Sequence, residues 1–260
     1  MSLALLRALL AVPFGACLGS FLNVVIYRVP NGESIVRPGS ACPCCDTALR
    51  PYELVPVISW LALRGHCRTC GIAIGIRYPA VEALTAAMFA AVAYRFERPV
   101  TIIAYMVLVA ACIALSVIDL DTHRLPTALV HLTAAVGASA LIAASVDVHQ
   151  PARLAWAAAG AVAVGGTLFG IWWIAPGGMG FGDVRYGATL AMFVGWLGMA
   201  YVFVGLVVAF FAGAVGGLGL IATGRAGRRS AVPFGPFLSV GALVAVFAGP
   251  QITQWWLPAR

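Results

Sequence analysis

Eight long apolar segments dominate the sequence, and they restrict the chain to helices that cross a membrane. A bilayer-spanning helix needs about 20 mainly apolar residues. The sixth and seventh segments are fused through "FVGWLGMAYVFVG", which fits one tilted helix or a tight hairpin. We predict an all-α fold, a polytopic membrane helix bundle of about eight transmembrane helices. The segments are residues 3–27, 80–95, 100–118, 127–146, 152–175, 187–202, 204–222 and 232–256.

The charge composition supports a membrane protein. Only 10% of the residues are charged, whereas a soluble domain has about a quarter, and the mean hydropathy is +0.97. The net charge of +7 comes from arginines scattered through the loops, which in membrane proteins are usually topology signals. No basic run with interleaved aromatic residues occurs. We therefore expect the lipid bilayer as a partner and no nucleic acid.

One polar segment, residues 28–79, separates the first two apolar segments and carries six arginines and five cysteines. Because positively charged loops are usually cytoplasmic, we expect this segment on the cytoplasmic side. The sequence thus predicts a first transmembrane helix over 1–27, a cysteine-rich domain over 28–79 and a membrane core over 80–260. The first apolar run continues well past Cys17, which favours an uncleaved helix over a signal peptide.

Four cysteines have the spacing of a zinc site. Cys42 and Cys45 in "CPCC", and Cys67 and Cys70 in "CRTC", form two pairs with two residues between partners. Two such pairs bring four thiolates to one tetrahedral zinc ion, and stable disulfides are rare in the cytoplasm. Four sulfur ligands leave no open position for a reacting water, so we predict a structural Zn²⁺ site. Cys44 stays open as a substitute for a neighbouring ligand.

Two aspartates lie at the ends of apolar segments, where a carboxylate indicates function by default. Asp119 follows the third segment in "IDLDTHRLP", and Asp183 precedes the sixth in "GMGFGD". With eight spans, both lie at the cytoplasmic membrane edge. Two carboxyl groups in one low-dielectric site share a proton, which places a base beside an acid. Such a pair can activate a water for attack on an amide carbonyl and protonate the leaving group, as aspartic proteases do.

The glycines before Asp183 fit this chemistry. Gly178, Gly180 and Gly182 have no side chains, so an extended substrate backbone can approach the carboxylate closely. Non-helical backbone at membrane depth is tolerated where it lines a cavity. We predict that these three glycines form a substrate-approach loop.

Other roles for the aspartates stay open at the level of the residues. Asp119 could cap a helix or pair with Arg124, Asp183 could pair with Arg185, and Asp121 is as good a candidate as Asp119. A non-enzymatic transporter, with aspartates that relay protons, or a zinc-bearing assembly scaffold is therefore an alternative function. A transporter, however, would not need a cysteine-rich cytoplasmic domain.

The order of seven sequence segments resembles one family, the bacterial prepilin peptidases or type IV leader peptidases, of the GxGD class of membrane aspartic proteases. A lone GxGD is weak evidence, but these seven occur in the same order over nearly the whole chain. They are "GSFLNVVIYRVP", "CPCC", "PVISWLALRGHCRTCG", "IRYPAVEALT", "IDLDTHRLP", "GMGFGDVRYGA" and "PFGPFLSVGA".

This resemblance implies a specific activity. Such enzymes lie in the bacterial inner membrane and cut the basic leader from type IV prepilins and from the pseudopilins of type II secretion. Their two catalytic aspartates correspond to Asp119 and Asp183, which selects Asp119 over Asp121. Many members also N-methylate the new N-terminus with S-adenosylmethionine, and the cysteine-rich domain over 28–79 marks the long form that does so.

Overall fold

The computed structural model describes residues 2–175, 177–224 and 232–256. The described residues form helices and no β-strand, which confirms the all-α prediction. Besides a short 3₁₀ turn at Pro51–Leu54, the elements are α1 (Leu3–Arg28), α2 (Ile58–Ala62), α3 (Arg77–Arg95), α4 (Pro99–Thr122), α5 (Thr127–Asp147), α6 (Ala152–Ile174), α7 (Phe181–Leu197), α8 (Met199–Ala222) and α9 (Gly235–Trp256).

Six of these helices are long and apolar enough to cross a membrane, namely α1, α4, α5, α6, α8 and α9. The chain is therefore a multi-pass membrane protein. Helices α3 and α7 occupy the other two predicted segments. Helix α7 has only 17 residues, and α3 carries the charged residues Arg77, Glu82 and Arg95.

The predicted boundary between the sixth and seventh segments is wrong by several residues. The sequence suggested a break near residue 203, but α7 ends at Leu197 and α8 begins at Met199. The break is at Gly198, whose φ of 138° is rarely adopted by a residue with a side chain. The alternative of one continuous tilted helix is thereby excluded.

The chain divides into two compact units, Met1–Glu97 and Arg98–Arg260. In the first unit α1 packs along α3. This approach depends on Gly15 and Gly19, because a Cβ atom there would lie 2.8 Å from the Cα of Ala86 and 2.7 Å from the Cα of Glu82, respectively. The polar segment between these helices contains two small knuckles, each closed by an antiparallel bridge.

In the second unit α4 is the central helix. Its side chains at Leu108, Leu115 and Ile118 are fully buried, and α5, α7 and α9 pack around it. Helices α6 with α7, and α8 with α9, form closely packed pairs. This arrangement brings the end of α4 and the starts of α7 and α9 to one region of the unit.

The packing of α8 on α9 generates a test of the fold. A Cβ atom at Gly241 would collide with the carbonyl oxygen of Gly205 and lie 2.8 Å from the Cβ of Ala209. We expect Gly241→Ala to lower the free energy of unfolding by about 1–3 kcal/mol, because the helices must move apart. Thermal unfolding of the purified protein in detergent measures the change.

The matched control is Gly217→Ala on α8, where an added Cβ meets nothing within 4 Å. This control should unfold at or slightly above the temperature of the unsubstituted protein, because alanine favours the helix. Equal melting temperatures for the two variants would contradict the described packing.

Candidate functional site

Asp119 lies in the last turn of α4, with 4% of its surface exposed. Its Oδ2 accepts a 2.9 Å hydrogen bond from the backbone N–H of Gly235, the first residue of α9. Asp121, two residues further along the same helix, is exposed. Two residues are separated by about 200° around a helix, so the packing that buries Asp119 turns Asp121 outward.

Asp183 lies in the first turn of α7, with 8% of its surface exposed. Its Oδ2 accepts a 3.1 Å hydrogen bond from the N–H of Gly180, the N-cap of that helix. Its Oδ1 is buried and has no hydrogen-bond partner among the described residues. One oxygen of this carboxylate is therefore held by the backbone, and the other is available to a ligand.

The structure brings these two carboxyl groups into the same region. The two carboxyl groups lie within electrostatic range of each other, and His123 lies within electrostatic range of Asp119. The sequence left open an ion pair between Asp119 and Arg124, but the described part of the chain contains no such pair. The same holds for Asp183 and Arg185, whose guanidinium lies over the ring of Phe181 instead.

The capping alternative, in contrast, is partly realised. Both carboxylates accept an N–H at a helix N-terminus, where the helix dipole favours a negative charge. Each of these bonds occupies one oxygen only. Capping therefore explains the orientation of each carboxylate, and it does not explain why two of them lie within electrostatic range of each other.

The glycines before Asp183 have clear packing environments. A Cβ at Gly180 would lie 3.3 Å from Oδ2 of Asp183, so glycine lets the carboxylate reach the backbone. Gly182 is already in the first turn of α7, where a Cβ would lie 3.2 Å from the Cβ of Leu125. Gly178 precedes them in the turn after α6. The predicted role of the three glycines in admitting a substrate stays a prediction.

Gly235 is the residue that the sequence arguments did not assign. A Cβ at this position would lie 2.8 Å from Oδ2 of Asp119, so only glycine allows the observed hydrogen bond without displacement. The next residue, Pro236, has no N–H to offer. The signal in the sequence is a glycine flanked by proline at the start of an apolar helix, in "PFGPF".

The four predicted zinc ligands form a second candidate site. The Sγ atoms of Cys42, Cys45, Cys67 and Cys70 all lie within 4.8 Å of one another, and the Cys42–Cys70 pair is separated by 3.8 Å. A tetrahedron of thiolates at about 2.3 Å from zinc has edges of about 3.8 Å, so the donor set fits such an ion. Cys44 is exposed and outside this group.

The surroundings of the cluster favour the thiolate at two of its cysteines, whereas burial and the neighbouring cysteine side chains raise the pKa of Cys70 to about 12. Backbone N–H groups of Cys70 and Thr69 lower the pKa of Cys67 to about 6, and hydrogen bonds with Thr47 lower the pKa of Cys45. The thiolate is the form that binds a metal.

An ion pair also organises the second knuckle. Arg68, between Cys67 and Cys70, donates from Nε to Oε1 of Glu53 at 2.9 Å. The other oxygen of Glu53 accepts the N–H of Arg50 at 2.8 Å. These two contacts lower the pKa of Glu53.

Within residues 29–76, the only buried residues are Cys42 and Gly65. This segment has no hydrophobic core of its own. A small domain of that kind needs a disulfide or a metal to hold it together, and all four cysteines are free thiols in this structure. The cluster can hold a metal ion, and its closed sulfur shell suits a structural role.

Comparison with known proteins identifies the two units separately. Residues 13–96 match the model of the bacterial peptidase A24 N-terminal domain, and residues 106–218 match that of the type IV leader peptidase family. No solved structure matches the chain.

Several relatives carry the name prepilin leader peptidase/N-methyltransferase. A Myxococcus xanthus protein is 40% identical, with the alignment covering 83% of this chain and 64% of that protein, so this chain spans less than two thirds of its length. Proteins from Aeromonas salmonicida and Pseudomonas aeruginosa are each 32% identical, with 94% and 96% of this chain aligned to 91% and 93% of theirs.

The cysteine cluster generates a test of the metal centre. We expect Cys67→Ser to lose the bound metal and to lower the amount of folded protein, because three thiolates bind a metal ion less tightly than four and residues 29–76 lack a core. Elemental analysis of the purified protein measures metal per chain.

Cys44→Ser is the matched control, since its thiol is exposed and lies outside the cluster. It should retain about one metal ion per chain. Full metal content in Cys67→Ser, or loss of metal in Cys44→Ser, would refute the four-cysteine site.

Proposed function

The chain belongs to the type IV leader peptidase family, and from that premise we propose that Asp119 and Asp183 cleave the leader peptide of type IV prepilins and of type II secretion pseudopilins. The observation that carries the proposal is the pair of buried carboxyl groups that lie within electrostatic range of each other and form no ion pair among the described residues. Two such groups are most stable when they share one proton.

The proposed reaction uses both members of the pair. The unprotonated carboxylate takes a proton from a water molecule, and the water oxygen attacks the carbonyl carbon of the scissile peptide bond. The protonated partner gives its proton to the leaving nitrogen, so the products are one new carboxyl terminus and one new amino terminus. Afterwards the pair again holds one proton between them.

Two features support a specific position for the water. Oδ2 of each carboxylate is engaged with a backbone N–H, which orients the carboxyl plane before any substrate arrives. Oδ1 of Asp183 has no hydrogen-bond partner among the described residues. A buried acceptor of this kind is costly unless a ligand satisfies it, and we assign it to the attacking water.

We also assign the glycine turn to the substrate. Gly178 and Gly180 precede Asp183 without side chains, which leaves room for an extended peptide beside the carboxylate. Gly182, which follows these two glycines, lets the first turn of α7 pack close to Leu125. The substrate reaches this point from the bilayer, because a leader is joined to an apolar helix.

A second activity, N-methylation of the new amino terminus, follows from the names of the relatives. The peptidase family model covers the second unit, so we assign the methyl transfer to the first unit. When bound, S-adenosylmethionine would supply the methyl group, and the amine would lose a proton as the sulfonium became a thioether. Glu82, buried in α3, accepts a 2.7 Å hydrogen bond from the N–H of Val57 with Oε2, so in this unit it holds the residue that precedes α2.

We further propose that the metal is zinc and that the protein lies in the bacterial inner membrane. Four thiolates in a closed tetrahedral shell are typical of structural zinc. The arginines within residues 28–79, and Arg124 close to Asp119 in the sequence, favour the cytoplasmic side for the cysteine-rich segment and for the proposed dyad.

The dyad is tested by removing each carboxylate in turn. We expect Asp119→Asn and Asp183→Asn each to abolish leader cleavage, because neither variant can take and return the shared proton. The measurement is co-expression with a prepilin whose leader is basic, followed by the mass of the pilin. Both variants should remain inserted in the membrane at normal level.

Asp121→Asn is the matched control, since it makes the same chemical change two residues away on an exposed position. This variant should keep most of the cleavage activity. If either dyad variant processed the prepilin as well as the unsubstituted protein does, the proposed mechanism would be wrong.

The methyl transfer is tested on the same product. The mature pilin should carry one added methyl group at its N-terminal amine, seen as the corresponding mass increase. Pilin that is cleaved but unmethylated, in cells supplied with the donor, would contradict the second activity and leave the first intact.

A further inference from the structure

A cluster of buried hydroxyl groups lies one helical turn deeper than the proposed dyad. Ser116 lies three residues before Asp119 on α4, and Tyr186 lies three residues after Asp183 on α7. Because residues three or four apart share one face of a helix, each hydroxyl lies on the same face as the neighbouring carboxylate. Ser239 lies four residues after Gly235 on α9, so it shares a helix face with the residue whose N–H donates to Asp119.

Ser239 is the centre of this cluster. Its Oγ lies 2.8 Å from Oγ of Ser116 and 2.6 Å from the hydroxyl of Tyr186. It also lies 3.0 Å from the carbonyl oxygen of Gly235. Three helices, α4, α7 and α9, thus meet at one hydroxyl oxygen.

The chemistry of a hydroxyl group settles which partner donates. The carbonyl of Gly235 can only accept, so Ser239 gives it its single proton. Ser239 then accepts from Ser116 and from Tyr186 with its two lone pairs. These three contacts use the one proton and both lone pairs of the Ser239 hydroxyl, and the buried thiol of Cys112 lies beside Ser239 and Tyr186.

Ser239 and Tyr186, which we call the hub of the cluster, are buried inside the protein. Ser239 is 3% exposed and Tyr186 is fully buried. Polar groups inside a membrane bundle are expensive unless they are paired. Hydrogen bonds between helices contribute about 0.6–2 kcal/mol in a membrane bundle. Unlike apolar contacts they are directional, so they fix the three helices at one relative position.

We propose that Ser239, together with Tyr186 and Ser116, positions the two carboxylates relative to each other. The inference rests on the proposed peptidase function and deepens it. Through α9 the hub connects the helix that carries Asp183 with the amide of Gly235, and that amide orients Asp119. The contacts of these hydroxyl groups are with one another and with the carbonyl of Gly235, so we assign them a positioning role and not a catalytic one.

The magnitude of the effect follows from the geometry of general acid–base catalysis. A displacement of about 1 Å in a catalytic group can reduce the rate about 100-fold. Loss of a hydrogen bond between packed helices permits movement on that scale. Binding of the substrate, which depends on other surfaces, should change little.

The experiment compares Ser239→Ala and Tyr186→Phe with the unsubstituted protein, each as full chain in proteoliposomes, on a purified prepilin substrate. We expect Ser239→Ala to lower kcat about 10- to 100-fold with KM within about two-fold. Tyr186→Phe should lower kcat by a smaller factor, because Ser116 and Gly235 still hold Ser239. The double variant should be no slower than Ser239→Ala alone, since both changes break the same unit.

Ser145→Ala is the matched control. Ser145 on α5 is 2% exposed and accepts a 2.7 Å hydrogen bond from Nε1 of Trp196. Ser145 is therefore as buried as Ser239, and it also accepts a hydrogen bond from an aromatic side chain. It has no hydrogen bond to Asp119, Asp183 or Gly235 among the described residues. This control should keep kcat within about two-fold, with a loss of thermal stability similar to that of Ser239→Ala.

The outcomes separate the inference from the function on which it rests. Cleavage by the unsubstituted protein with equal kcat in Ser239→Ala and Ser145→Ala would overturn the positioning role and leave the peptidase proposal standing. A rise in KM without a fall in kcat would also overturn it. Absence of cleavage by the unsubstituted protein would overturn the proposed function, and the inference would fall with it.

Discussion

The hydrogen bonds from helix N-terminal amides to Asp119 and Asp183 are the interactions on which the candidate site depends. A carboxylate that is buried without hydrogen bonds is costly, and a hydrogen bond to a charged group contributes about 1.5–3 kcal/mol. One amide N–H therefore offsets part of the cost of each carboxylate. It also leaves the second oxygen of Asp183 unpaired, and this combination of a fixed and an open oxygen is what a hydrolytic site requires.

Glycine makes these contacts possible in a bundle of otherwise bulky side chains. At Gly235 and Gly180 the missing Cβ lets a carboxylate reach the backbone. At Gly241 and Gly19 it lets two helices approach until their backbones nearly touch. The same property thus serves the site and the packing that holds the site in place. The glycines around Asp183 therefore have a structural role in addition to the proposed role of admitting a substrate. The two roles are compatible, because a residue without a side chain can bind a carboxylate through its N–H and still leave room for a peptide.

The two units solve the problem of stability in different ways. The second unit buries apolar side chains of α4 among its neighbours. In the first unit the polar segment over 29–76 buries almost nothing, and the metal proposed for the four sulfur atoms within 4.8 Å of one another would take the place of a core. The match of a separate family model to each unit agrees with this division, and it is the reason for assigning the peptidase and methyl-transfer reactions to different parts of the chain.

The sequence by itself determined the helical class, most helix positions and the four-cysteine cluster, because apolar length and CxxC spacing are local properties that tertiary contacts do not alter. Tertiary structure decided which carboxylates are buried within electrostatic range of each other. Asp119 and Asp121 are nearly equivalent as sequence, and only the packing around α4 buries the first and exposes the second. The amide of Gly235 and the hydroxyl of Ser239 lie 116 and 120 residues after Asp119 in the chain, and no local pattern relates them. Their roles exist only because α9 folds back beside α4 and α7, which is a property of the whole bundle.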